Sequence, residues 1–223
     1  MPTENLSTDV ASVADSLSAM IQKELTTYCH HDGYLDPSDP TIITPDDRMA
    51  LVDWCYGVVD HCQFSRESVA SAMEMVDRFL SIPSQLTHEA LHDRKVFQLI
   101  TIVALYITIK THEPDSIGSS FFSDMSRGAY TVEEIEDMEL ILLAGLSWRC
   151  NAPTASQVGF HLLSLIMPKA PNLPESAWCF LMDEMKNLSI YILILLRKIK
   201  AIWLVCVDMM RIHRVSTHFS RCR

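Results

Sequence analysis

Residues 99–109 read LITIVALYITI, and this stretch decides the fold. Its only polar groups are two threonines and the Tyr106 hydroxyl. A helix that is apolar at every angle belongs in the middle of a bundle, buried on all sides. At 11 residues the run is also too short to cross a bilayer. With Thr87 as its cap, the helix is predicted to continue through EALHDRKVFQ and LITIVALYITI to Lys110.

Working outward, helix signals recur at short intervals. On the N-terminal side, Ser65 caps SVASAMEMVDRFL, which is predicted to run to about Ser81. Before it, Thr44 at the cap, Pro45 at the first position and Asp46-Asp47 in the first turn open a helix to about Cys62. On the C-terminal side a short helix is predicted over 116–125, and Thr131-Val-Glu-Glu134 is a capping box opening a helix to Leu146. These are five helices over residues 44–152. An amphipathic helix over 10–25 precedes them, joined by HHDGYLDPSDPTIITPDD, a Pro- and Asp-rich linker. Thr154 and Pro174-Glu175 open two more, ASQVGFHLLSLI and SAWCFLMDEMKNLS. The organisation read here is therefore 1–43, helix and acidic linker; 44–152, a five-helix unit; 153–189, the start of a second, incomplete helical repeat; and 190–223, a tail.

Composition agrees with an all-α fold. Glycine is scarce at 6, methionine common at 12, and period-2 alternation is hard to find. The seven cysteines are scattered and odd in number, and MPTENLSTDV is unlike a secretory or mitochondrial leader, so reduced thiols in the nucleus or cytoplasm are expected. Residues 1–150 carry 9 basic against 24 acidic side chains. That surface repels nucleic acid and offers no counterion release, so no nucleic-acid partner is expected. The tail from 190 reverses the balance, with 7 basic side chains and 1 acidic. Its two apolar stretches are split by Arg197, Lys198 and Lys200, so no membrane span is expected, and the break in composition reads as a truncated or misjoined end.

No catalytic site emerges, and neither a cofactor nor a metal is expected. Cys29-His30-His31 has no second cluster to complete a metal site. Cys55, His61 and Cys62 read as packing on one helix, and EEIEDME (133–139) as a charged face. Phosphate loops and nucleophile–base arrangements are not found. What needs explaining is charge inside apolar helices: Arg48 and Asp53 in RMALVDW, Asp77 and Arg78 in MEMVDRFL, Lys110 at the end of the buried helix, and Glu139 in MELILL. Buried charges are costly unless paired, so these residues bond each other or a partner protein.

Over residues 45–167 the chain resembles the cyclins. RMALVDW (48–54) resembles the opening of the cyclin box, and SVASAMEMVDRFLS (68–81) its second helix. VFQLITIVALYITIKTHE (96–113) resembles the third helix and AYTVEEIEDMELILLAGLSW (129–148) the fifth. The marker positions of the box are Arg48, Asp77, Leu99, Lys110 and Glu139. The resemblance implies an all-α cyclin box and a non-enzymatic regulatory subunit that forms a heterodimer with a cyclin-dependent protein kinase, activates it and controls cell-cycle progression. It implies a structural ion pair between Arg48 and Asp77, and a kinase-binding face made by Lys110 and Glu139 with Ile107, Leu143 and Trp148 as its apolar part.

Several positions depart from the family pattern. Thr111 stands where an aromatic kinase contact is expected, and His112 where an acid is expected. The patch that docks Arg-x-Leu substrates or inhibitors keeps Leu51, Trp54 and Gln98, but Asp47 and Ala50 replace two apolar seats and Gly57 an acidic one. The alternatives are a helical adaptor or transcription-related protein that keeps the fold without activating a kinase, and a metal-dependent enzyme using Cys55, His61 and Cys62.

Overall fold

The computed structural model describes residues 10–28, 42–114, 117–166 and 174–191. Linker residues 30–41, the Cys29-His30-His31 triplet and the tail from 192 lie outside the described residues. Among the described residues all regular structure is helical: α1 (Val10–Thr26), α2 (Pro45–His61), α3 (Glu67–Leu80), α4 (Gln85–His92), α5 (Arg94–His112), α6 (Ser119–Met125), α7 (Val132–Gly145), α8 (Ala155–Ile166) and α9 (Glu175–Tyr191).

The centre of the molecule is α5, which touches α2, α3, α4, α6 and α7. Every residue from Ile100 to Ile109 is buried, as the apolar run requires. The two buried threonines cost little, because each hydroxyl donates to the carbonyl one turn back: Thr101 Oγ1 to Phe97 O and Thr108 Oγ1 to Ala104 O, both at 2.9 Å.

The predicted helix starts are mostly found. Thr44 and Asp47 form a capping box at α2, with Pro45 in its first turn, and Thr131 and Glu134 form another at α7. Thr154 and Gln157 exchange the same pair of bonds before α8, at 3.2 Å each. Ser65, expected to cap α3, lies one residue before the actual N-cap, Arg66, and its hydroxyl accepts from the Glu67 N–H at 3.2 Å. A second acceptor comes from the end of α5, where Glu113 Oε1 takes the Ser65 N–H at 3.1 Å and the Ser68 hydroxyl at 2.6 Å.

Helix boundaries are corrected in three places. The single helix read from Thr87 to Lys110 is two, α4 and α5, broken at Asp93. Asp93 takes an extended conformation (φ −121°, ψ 111°) and its side chain caps α5 by accepting the Lys95 N–H at 2.8 Å. Thr87 is not the cap of α4; Ser84 is, with Thr87 as the other half of its capping box. The short helix expected over 116–125 starts at Ser119.

Candidate functional site

Two charged pairs answer the question raised by the apolar helices. Arg48 in α2 meets Asp77 in α3 through two parallel bonds, Nε to Oδ1 at 3.2 Å and Nη2 to Oδ2 at 2.9 Å. The side chains are 6% and 1% exposed, so this is a buried fork that fixes two helices together. Asp53, expected to be a charge within the apolar segment, is instead exposed, on the outer side of α2.

The second pair is at the surface. Lys110 Nζ, in the last turn of α5, donates to Glu139 Oε1 of α7 at 2.9 Å and to the Tyr106 hydroxyl at 3.4 Å. The bond to Glu139 is the largest of the effects that raise the lysine above its ordinary value, so its charge is secure near neutral pH. Glu139 in turn lies one helical turn before Leu143 on α7.

The apolar residues expected beside this pair separate into two groups. Ile107 and Leu143 are buried, so they pack behind the pair and have little surface to give a partner. Trp148 is 68% exposed. It follows Ser147 in the left-handed region (φ 53° and 61°), where its N–H closes α7 by donating to Leu143 O at 2.8 Å. Leu140 and Ile141 are exposed apolar residues of α7 that the sequence reading missed. The signal was present: Ile135, Met138, Leu142 and Leu146 recur at 3–4 spacing and take the core face, which leaves 140 and 141 outside.

The docking-patch residues are largely engaged. Leu51 and Trp54 are partly buried against the core. Gln98 Oε1 accepts the Tyr130 hydroxyl at 3.2 Å. Asp47, one turn before Leu51, accepts from the Thr44 N–H at 3.0 Å and from Arg94 Nε at 2.9 Å, which places an ion pair beside these residues.

Thr111 and His112 are exposed at the end of α5. The Thr111 hydroxyl donates to Ile107 O at 2.9 Å, and the His112 ring bonds Thr108 O and Asn151 Oδ1. The metal reading is not supported by the geometry: Cys55 is fully buried, its thiol pushed up to about 12 by that burial, while His61 is exposed on another side of the helix. Among the described residues no three His, Cys, Asp or Glu side chains are placed to hold a metal. The acidic run 133–139 is dispersed: Glu134 caps α7, Glu136 accepts the Ser119 hydroxyl and Glu139 holds Lys110.

Comparison with known proteins matches this architecture. The model of the cyclin N-terminal domain matches residues 15–151, more than half of the chain. A G1/S-specific cyclin-D of Caenorhabditis elegans is 28% identical over 131 residues, which are 59% of this chain and 30% of that protein. A G1/S-specific cyclin-E1 of Gallus gallus is 29% identical over 161 residues, 68% of this chain and 37% of that protein. The S-phase entry cyclin-6 of Saccharomyces cerevisiae is 28% identical over 145 residues, covering 65% and 36%. The chain thus spans about a third of the length of these relatives. Among solved structures, a viral cyclin from herpesvirus saimiri superposes with a TM-score of 0.50 at 19% identity, over 75% of this chain and 66% of that one. With its helices, its buried Arg48–Asp77 fork and a domain match over residues 15–151, the chain belongs to the cyclin family.

Proposed function

We propose that this chain is a regulatory subunit of a cyclin-dependent protein kinase, acting in the nucleus or cytoplasm to control cell-cycle progression. The observation that carries the reading is the Lys110–Glu139 pair at the α5–α7 edge, with exposed Trp148 just beyond the end of α7. The lysine has three donors and the carboxylate several acceptor sites, so both have capacity left for backbone groups of a partner helix. Exposed Leu140 on α7 and Trp148 just beyond its end supply apolar area. A rigid face of this kind acts by population shift: it binds the active placement of the kinase's mobile helix better than the inactive one. That placement aligns the kinase's own lysine–glutamate pair and metal-binding Asp for phosphoryl transfer.

The test is binding of the full chain to purified cyclin-dependent kinases by calorimetry, beside Lys110→Ala/Glu139→Ala, with histone phosphorylation as the second readout. The expected result is at least about tenfold weaker binding of the variant, with phosphorylation lost in parallel. A second reading, an adaptor with the fold but no kinase activation, is favoured by Thr111 and His112, which stand where the family resemblance expects an aromatic and an acidic contact. It takes over if wild type and variant both leave the kinases inactive while circular dichroism shows intact helices.

A further inference from the structure

The outer face of α4 carries a pair of side chains that the kinase reading does not use. His88 and His92 stand four residues apart, so both project from one face of the helix, and both are exposed. Their rings are stacked, with centroids 4.4 Å apart and planes inclined by 25°. The inner face holds the helix in place. Thr87 and Ala90 are buried, and Leu91 packs against the core. The Leu91 carbonyl also accepts the Ile43 N–H at 2.8 Å, just before α2. The backbone that sets the spacing of the two rings is therefore anchored from behind.

Two imidazoles one helical turn apart are spaced to share one metal ion, and HEALH (88–92) has the H-E-x-x-H order in which helical histidines hold zinc. A second observation points the same way. His92 Nδ1 lies 2.7 Å from the His88 carbonyl oxygen. A carbonyl only accepts, so Nδ1 donates, and in the neutral ring Nε2 is left as the nitrogen with a lone pair. A ring N–H given to a backbone carbonyl is also what orients a metal-ligating histidine. The exposed carboxylates of Glu89 and Asp93 adjoin the pair and favour a cation, while nearby Arg94 is already paired with Asp47 at 2.9 Å. Among the described residues no third His, Cys, Asp or Glu completes a ligand set. An ion here is therefore held by two nitrogens and water, which makes a binding site and not a hydrolytic centre.

We propose that His88 and His92 form a two-histidine site for a divalent transition ion of the zinc type, clipped across the exposed face of α4. Neutral imidazole suits such ions, whereas Mg2+ and Ca2+ prefer oxygen ligands. The two rings keep this spacing only while α4 is helical, so the ion binds the folded segment in preference to the unfolded one and stabilises it. Chelation is the essential feature: either histidine alone is an ordinary surface imidazole, and the site exists only if both bind the same ion.

The experiment is a Zn2+ titration of the full, reduced chain at neutral pH, followed through the imidazole 1H–15N resonances of His88 and His92. Wild type is compared with His88→Ala and His92→Ala. Both positions are exposed and alanine is the best helix former, so the variants are expected to keep α4. In wild type the two rings should respond together along one saturation curve. In each variant the remaining ring should bind at least about tenfold more weakly. Equal affinity in the variants means that each imidazole binds alone, which overturns the site. So does a wild type in which neither ring responds up to about 1 mM Zn2+. Zinc held by cysteines or by Cys29-His30-His31 is distinguished, because the readout belongs to these two rings. No kinase enters the measurement, so its failure leaves the proposed function untouched.

Discussion

Trp148 holds a bulky side chain in the left-handed region with most of its surface in water. Such backbone costs on the order of 1–3 kcal/mol for a non-glycine residue, and an exposed ring recovers little of it by packing. Trp148→Gly should therefore leave urea stability unchanged or raise it by about 1 kcal/mol, while weakening kinase binding in the same calorimetric assay. A loss of stability would mean that the ring is part of the fold rather than of a contact. Arg48 and Asp77 should behave in the opposite way. Their fork is buried, so Asp77→Asn or Arg48→Met alone leaves an uncompensated charge, at about 3–5 kcal/mol by urea unfolding. The Arg48→Met/Asp77→Leu double variant should cost clearly less than the two single changes together, because no lone charge is left behind.

Among the elements, the boundary at Asp93 rests on one side chain. Asp93→Ala should remove the α5 cap and cost about 1 kcal/mol, read as a lower urea midpoint with unchanged slope. At the start of α2, burial opposes ionisation of Asp47, but the Thr44 N–H and hydroxyl and the Arg94 guanidinium together hold its carboxyl below the usual 3.8. A depressed carboxylate stabilises above its unfolded value and loses that contribution as pH falls through its folded one. Acid unfolding followed by circular dichroism should thus show a component beginning below about pH 4 that is absent in Asp47→Asn. These elements also show what the sequence could and could not reveal. Thr44, Thr131 and the 99–109 run were legible because capping chemistry and all-round apolarity are local properties. The break at Asp93 was not, since LHDRK has neither glycine nor proline and helix-compatible residues flank it on both sides. The Arg48–Asp77 and Lys110–Glu139 pairings came from family resemblance, as no spacing rule links residues 29 positions apart. Leu140 and Ile141 were overlooked although the 3–4 spacing of Ile135, Met138, Leu142 and Leu146 leaves them off the core face.

For the whole molecule, Glu67 is the polar joint between α3 and the start of α8. Its Oε1 accepts from the Thr154 and Ser156 hydroxyls at 2.7 Å each, and both donors are buried. Beyond them α8 crosses α9 closely at Gly159, where an added Cβ would lie 2.1 Å from Met185 Sδ. α8 thus joins the preceding helices through the Glu67 carboxylate and its packing on α1 and α3, whereas the helices around α5 enclose its fully buried centre. Unequal support of this kind predicts unequal stability. Glu67→Ala leaves two buried hydroxyls without their shared acceptor, a loss of about 1–3 kcal/mol in the docking of α8. In hydrogen exchange, residues 154–166 should lose protection by roughly tenfold or more while α5 keeps its own, and Glu67→Gln, which retains an acceptor oxygen, should fall between. If α5 instead loosens in step with α8, α8 and the helices around α5 fold as one cooperative unit, and the joint at Glu67 carries the stability of both.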